Sequence, residues 1–278
     1  NIILTYSIKK KLNQSIKSFG YRIWFMVHGR IKGIQFSENN HLIELINSTV
    51  DKNYTYKIYN IKNGRLYTDT VTDTAFITED KIIEGPSFQL RNSKNSKISD
   101  NIVFKKGTPK IKKNLKGKVF SLLTGGGGNA NYFHWLFDVL PRIKILENSI
   151  NLNEIDFFLF PDLKEKFQIE TLDLLNIPKS KRISSIEFRH IKCDNLLAVD
   201  HPYVIKNDPT IEIQNIPDWI LSYLRKIFLE NFKRNNIKET PKKIYIDRKD
   251  AKSNHAHLRK IINEDEVKNF FTKNGFSI

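Results

Sequence analysis

The sequence predicts an α/β protein: a doubly wound parallel sheet with a β-hairpin-rich N-terminal part, followed by the first elements of a second unit of the same kind. Three observations predict it. From Leu42 to Phe104 apolar and polar residues alternate in short runs, as they do in half-buried strands. From Val119 onward short apolar runs alternate with stretches of helical period, the pattern of a parallel sheet with crossover helices. Near Thr240 the strand–helix–strand pattern starts again. Residues 1–238 are therefore expected to form one domain, with 1–40 helical and 42–104 strand-rich, and 239–278 to begin another that is cut off before it can bury a core of its own.

Taken in order, Ile8, Leu12, Ile16 and Phe19 recur at helical spacing with Lys9, Lys10, Lys11 and Lys17 between them. This describes either a basic amphipathic helix lying on anionic lipid or a surface helix docked on its own domain. The only methionine is Met26, so the natural start is expected upstream. In the strand-rich part, Asn63-Gly64 is a type I′ hairpin signal. Ser93 to Asp100 reads as a polar loop and Lys105 to Lys118 as a basic connector. Val119–Leu123, Ile155–Phe160 and Ile191–Val199 read as strands, and Leu163–Leu175 as a helix stopped before Pro178. Pro217–Phe232 is a helix whose expected core residues are Trp219, Leu221, Leu224, Ile227 and Phe228. In the second unit Lys242–Asp247 reads as a strand. Asn263 with Glu266 forms a capping-box pair before a helix carrying Val267, Phe270 and Phe271, and Gly275 ends it.

With 278 residues, 40% of them hydrophobic and 27% charged, the chain can bury a core and is not disordered as a whole. No apolar run approaches the ~18 residues needed to cross a bilayer. A single cysteine, Cys193, excludes a disulfide scaffold and a multi-thiolate metal site. The formal charge of +16 invites a nucleic-acid reading, but outside Lys105–Lys118 the basic residues are dispersed among Asp and Glu, and no nucleic-acid partner is expected. Anionic small molecules or an acidic membrane surface would use the same field.

The densest cluster of chemistry is Gly125 to Arg142, GGGGNANYFHWLFDVLPR. Four glycines between a strand and a helix let a ligand approach free backbone N–H groups, or simply make a flexible loop. On the following helix Tyr132, Leu136, Val139, Leu140 and Ile143 share one side, and Asn131, His134 and Asp138 another. His134 and Asp138 are four apart and therefore neighbours. A carboxylate beside an imidazole fixes its tautomer and raises its basicity, which is what a general base near neutral pH requires; a structural His–Asp hydrogen bond has the same spacing. Trp135 can stack on a sugar or anchor the helix. Pro141 is expected to kink or end the helix, letting Arg142 point into a cleft.

The block NANYFHWLFDVLPR resembles the pattern of glycosyltransferase family 61, and RLYTDTVTDTAFITEDKIIEGPSFQLR (65–91) and KKIYIDRKDA…LRKIINEDEVKNFFTKNGFSI (242–278) are similar to the family's upstream and downstream regions. The resemblance implies a GT-B-like architecture of two Rossmann-like domains and an inverting glycosyltransferase. A nucleotide-sugar donor and a glycan or lipid-linked saccharide acceptor would be its substrates, in capsular or other surface polysaccharide synthesis. It carries over Asn131, His134, Asp138, Pro141 and Arg142 from the first block and Arg248, Arg259, Asn263 and Glu266 from the second. The catalytic candidates are then His134 and Asp138, either of which can be the base. Asn131, Trp135 and Arg142 fall on the acceptor side, in the first domain. Arg248, Arg259 and Asn263 belong to the donor-binding side, in the second. Arg248 directly follows a strand and is suited to clamp a diphosphate.

A glycine-rich, histidine-containing donor loop that the family carries further on has no counterpart before Ile278. A catalytically inactive fragment, or a binding module on an anionic membrane surface, is therefore the alternative. No metal and no cofactor are expected: Asp-x-Asp is absent, and His255 and His257 lack a third ligand nearby. A cytoplasmic location follows from this reading, with a peripheral place at the inner face of the membrane as a variant of it.

Overall fold

In the computed structural model, which describes residues 2–70, 72–87, 97–123, 131–204, 209–234, 241–247 and 261–278, the chain divides into two units, Asn1–Phe228 and Leu229–Ile278. The first opens with helix α1 (Ile2–His28). It continues with strands β1 (Gly33–Gln35), β2 (Ile43–Asp51), β3 (Tyr54–Lys62), β4 (Arg65–Thr68), β5 (Thr74–Thr78) and β6 (Lys81–Ile83). A single turn, α2 (Val103–Lys106), leads to β7 (Lys113–Ser121). One helix then runs from Tyr132 to Glu147 in three parts: α3 (Tyr132–His134), a widened π turn (Trp135–Val139) and α4 (Leu140–Glu147). After it come β8 (Phe157–Phe160), α5 (Lys166–Leu174), β9 (Arg182–Ser184), β10 (His190–Val199), α6 (Pro209–Glu212) and α7 (Asp218–Arg234).

The strands form one mixed sheet. Its parallel part has the order β9-β8-β7-β10, so the first of these strands in the chain, β7, lies between the second and the last. That is the order of one half of a doubly wound sheet, and the order reverses between β7 and β10. β10 is the seam of the molecule. One edge pairs with β7, and the other pairs first with β4 and then with β3.

Period-two alternation explains why these strands are apolar almost throughout. Phe120, Phe158, Phe160, Leu197 and Val199 face the core shared with Trp135, Val139, Leu140 and Ile143. Val119, Leu159, Leu196 and Ala198 face the opposite core, with Tyr59, Ile61 and Leu66. Cys193 sits in that second core, and burial pushes its thiol up to about 12.

Four expectations about the elements of the first unit need correction. Asn63-Gly64 does not turn a hairpin. β3 and β4 are successive partners of the same edge of β10 in one register, with Asn63 opposite Asp194 and Gly64 opposite Cys193: the Asn63 amide donates to the Asp194 carbonyl and the Cys193 amide to the Gly64 carbonyl. Asn63 takes a left-handed φ of 52°, and a Cβ on Gly64 would lie 2.6 Å from that of Leu196. The turn-like dipeptide therefore kinks a long strand, with its register on β10 kept, instead of reversing it. The C-terminal part of the basic connector Lys105–Lys118, from Lys113 on, is strand, because the lysines of β7 occupy its solvated stretch. Pro141 does not end its helix. It stands in the first turn of α4, just after the widened turn, where a missing N–H is tolerated. On α7, Trp219, Leu224 and Ile227 are buried, but Leu221 is 46% exposed.

In the second unit the expected strand Lys242–Asp247 is reduced to one parallel bridge, Ile244 with Ser277. Helix α8 (Glu264–Lys273) joins the two sides of that bridge. Asn263 and Glu266 bond each other at 3.1 Å, and the Asn263 side chain caps no backbone N–H. The C-terminus follows the expectation: Gly275 has φ 78°, and the Phe276 and Gly275 amides donate to Phe271 and Thr272. Phe271 packs on Tyr245 and Phe276, while Phe270 is exposed.

Candidate functional site

The helix that follows β7 begins with a cap. The Asn131 side chain accepts from the backbone N–H groups of Phe133 (3.0 Å) and His134 (3.3 Å), which fixes the first turn beneath the histidine. The π turn then adds a residue and rotates the helix before Val139. Asp138 is thereby fully buried and His134 keeps a side chain 23% exposed. The same rotation explains why Tyr132, expected on the core side, is 54% exposed.

His134 and Asp138 meet: Nδ1 lies 2.8 Å from Oδ2. An ionised carboxylate only accepts, so Nδ1 carries the proton and the lone pair sits on Nε2. The Asp138 hydrogen bond raises the His134 pKa above its ordinary value, against the smaller opposing effect of burial. Burial alone would raise the Asp138 carboxyl, but the hydrogen bonds and charge of His134 and His201 hold it well below the usual carboxylate range.

His201, which the sequence did not single out, stands on the other side of Asp138, with Nε2 3.8 Å from Oδ2. Its Nδ1 accepts from the Tyr203 and Val204 amides, so its proton is on Nε2 and faces the carboxylate. Burial lowers its pKa, with the Asp138 hydrogen bond and charge opposing. Tyr203 completes the enclosure; burial first, and then the Asp138 charge, raises its phenol. The one signal available was position. Asp200 and His201 directly follow the last residue of β10, and doubly wound sheets place ligands at that end of the strands, where their order reverses.

Two candidate residues serve the scaffold instead of the surface. Trp135 is completely buried, and its Nε1 donates to Thr171 Oγ1 at 2.8 Å, so it has no face to offer a sugar. Arg142 does not reach a cleft. It is 4% exposed and donates to two carbonyls, from Nε to Asp138 (3.0 Å) and from an η nitrogen to Val199 (3.2 Å). Burial lowers its pKa to about 10, with Asp138 and Asp200 opposing. It ties the helix of the dyad to the end of β10.

Beside His201 opens a cavity of about 380 Å³ whose walls include Tyr54, Tyr56, Lys57, Tyr59 and Asp200. Asp200 accepts from the Tyr59 hydroxyl and the Lys57 amide, both in β3, within the antiparallel part of the sheet (β2–β6) that forms a hairpin layer beside β10. Gly125–Gly128, Arg248, His255, His257 and Arg259 lie outside the described residues. Asn263 is described, bonded to Glu266. Among the described residues no three His, Cys, Asp or Glu side chains converge as metal ligands.

The arrangement is a buried carboxylate holding a partly exposed imidazole, with Nε2 free of any bond among the described residues. It can take a proton from a hydroxyl near neutral pH. No curated protein and no solved structure matches the chain. A family model, Glycosyltransferase 61, matches residues 132–278. That span opens on the helix of His134 and Asp138 and takes in more than half of the sequence: the chain belongs to the glycosyltransferase 61 family.

Proposed function

We propose that this chain transfers a sugar, with inversion, from a nucleotide-sugar donor to a hydroxyl of a glycan or lipid-linked saccharide, with His134 as the base. The observation that carries the reading is the 2.8 Å contact from Nδ1 to Asp138. Asp138 has no exposed surface, so it orients the imidazole and cannot itself touch an acceptor. In the step, the acceptor oxygen bonds to the anomeric carbon as its proton passes to His134 Nε2. The bond from that carbon to the donor phosphate breaks, and its electron pair leaves with the nucleotide diphosphate. The cavity with tyrosine rings and the Asp200 carboxylate suits a saccharide, which offers both C–H faces and hydroxyl donors.

The donor would rest against residues 239–278, where Arg248 and Arg259 supply charge for a diphosphate and make a metal unnecessary. This is a GT-B-like division of labour, with the acceptor side in the first domain. Surface or capsular polysaccharide is the product class that fits, assembled in the cytoplasm.

The test is nucleotide release by the complete gene product, over a panel of nucleotide sugars and with and without short oligosaccharide acceptors. His134→Ala should lower acceptor-dependent turnover by ~10²–10⁴-fold, the contribution of a positioned general base. A variant that keeps wild-type turnover refutes the assignment.

A further inference from the structure

We infer that α1 lies on an anionic bilayer surface through a stripe of side chains that its own domain leaves uncovered. Ile16, Phe19, Ile23, Met26 and Val27 are exposed by 60, 65, 41, 78 and 60%. At ~100° per residue they fall within an arc of about 100° on α1.

The helix already has a different face against the protein. His28 Nε2 donates to the Lys110 carbonyl at 3.0 Å, and its ring meets His190 edge-on and stacks on Trp24. The Phe25 ring closes on Gly107, and Lys106 lies over Tyr21. Tyr21, Trp24, Phe25 and His28 thus dock the C-terminal end of α1, and the exposed stripe lies on roughly the opposite side. Docking on its own domain therefore does not account for the stripe.

Charge selects the occupant. Lys9, Lys10, Lys11, Lys17, Arg22, Arg30 and Lys32 precede Glu38, the first acidic residue of the chain. An apolar stripe on a stretch of chain that carries lysine and arginine and no acid matches an anionic lipid surface, where long basic side chains reach headgroups while the stripe enters the acyl boundary. A second copy of the chain would bring two uncompensated basic rows together. α1 is not apolar enough to cross a bilayer. The inference is independent of the chemistry assigned to His134.

The test is cosedimentation of the complete gene product with vesicles of phosphatidylcholine alone or with about one third phosphatidylglycerol. Binding should require phosphatidylglycerol and weaken at about 0.5 M salt. Phe19→Asp with Met26→Asp should lower the bound fraction by about tenfold or more, with the circular dichroism spectrum and melting temperature kept, because neither residue is buried. Lys9, Lys10, Lys11 and Lys17→Gln together should do the same. Equal binding to both vesicle types, no binding to either, or binding unchanged in these variants would overturn the inference. So would a dimer in light scattering that the same two Asp substitutions dissociate, which would assign the stripe to a second copy.

Discussion

Replacing Asp138 by Asn keeps the shape of the side chain and removes the charge on which His134 depends. In the native chain Oδ2 accepts from Nδ1 at 2.8 Å inside the protein, where water does not compete. A hydrogen bond to a buried charge is worth about 1.5–3 kcal/mol. As the proton moves to Nε2 the ring becomes a cation, and this bond strengthens, so much of its value is realised in the transition state. At about 1.4 kcal/mol per decade, losing it should slow turnover by roughly 10–100-fold. An Asn that presents its NH₂ to Nδ1 also selects the wrong tautomer and deepens the loss.

The pH profile separates this role from a structural one. The base must be neutral, and Asp138 raises the His134 pKa, so the acid limb of kcat/KM should lie above about pH 6.5. In Asp138→Asn it should move to lower pH while the plateau falls. The variant is then relatively less impaired at pH 6 than at pH 8. An acid limb that stays in place, with a plateau within about twofold of wild type, would refute the argument. Assays belong well below the variant's melting temperature. The depressed Asp138 pKa stabilises the fold above the unfolded carboxyl value of about 4 and ceases to do so as pH falls through the folded value; at pH 7 the variant lacks that contribution entirely.

Trp135→Phe should lower stability by about 1 kcal/mol through the lost bond to Thr171 while leaving the KM for acceptor unchanged; a raised KM would return Trp135 to the sugar. His190 tests the acid sensitivity of the hairpin layer. Burial lowers its pKa to about 4 from an unfolded value near 6.5, so the stability it supports above pH 6.5 is lost as pH falls towards 4, a total of about 3 kcal/mol. In denaturant titrations His190→Gln should flatten that slope, and an unchanged slope would place the acid sensitivity elsewhere. Gly64→Ala should cost about 1–3 kcal/mol, read as a lower melting temperature, because the new methyl would overlap the Leu196 Cβ.

Periodicity made the parallel half of the fold legible. Apolar runs bounded by turns announced β8 and β10, and the helical period announced α5 and α7, because burial on both faces or on one stripe leaves little freedom in residue type. It failed where one residue more or less changes the outcome. Asn63-Gly64 has the same composition whether it reverses a chain or continues along one partner, and only pairing with a strand some 130 positions away in sequence decides. The π turn displaces the faces of the Tyr132 helix, so Tyr132 leaves the core side, while His134 and Asp138 stay neighbours; Arg142 stays out of a cleft because the helix continues through Pro141. His201 was missed because no local pattern marks a side chain that meets its partner through the closure of β10 on β7.

β10 explains how the hairpin layer bears on the dyad. Residues Asn195–Val199 pair on one side with β3 and on the other with β7 as far as Leu197, so the strand that delivers Asp200 and His201 cannot slide without breaking two ladders. Val199 also accepts from Arg142, which binds the Asp138 carbonyl, and His201 faces the Asp138 carboxylate. Asn63-Gly64 carries β3 into β4 in one register along that strand. If this coupling holds, Gly64→Ala does more than destabilise: pressing on Leu196 shifts β10 a few residues before His201. The acid limb assigned to His134 should then move in a variant whose substitution is remote from the helix that carries the dyad. A Gly64→Ala protein of lower melting temperature but with an unmoved acid limb would show that the hairpin layer supports the sheet without tuning the site.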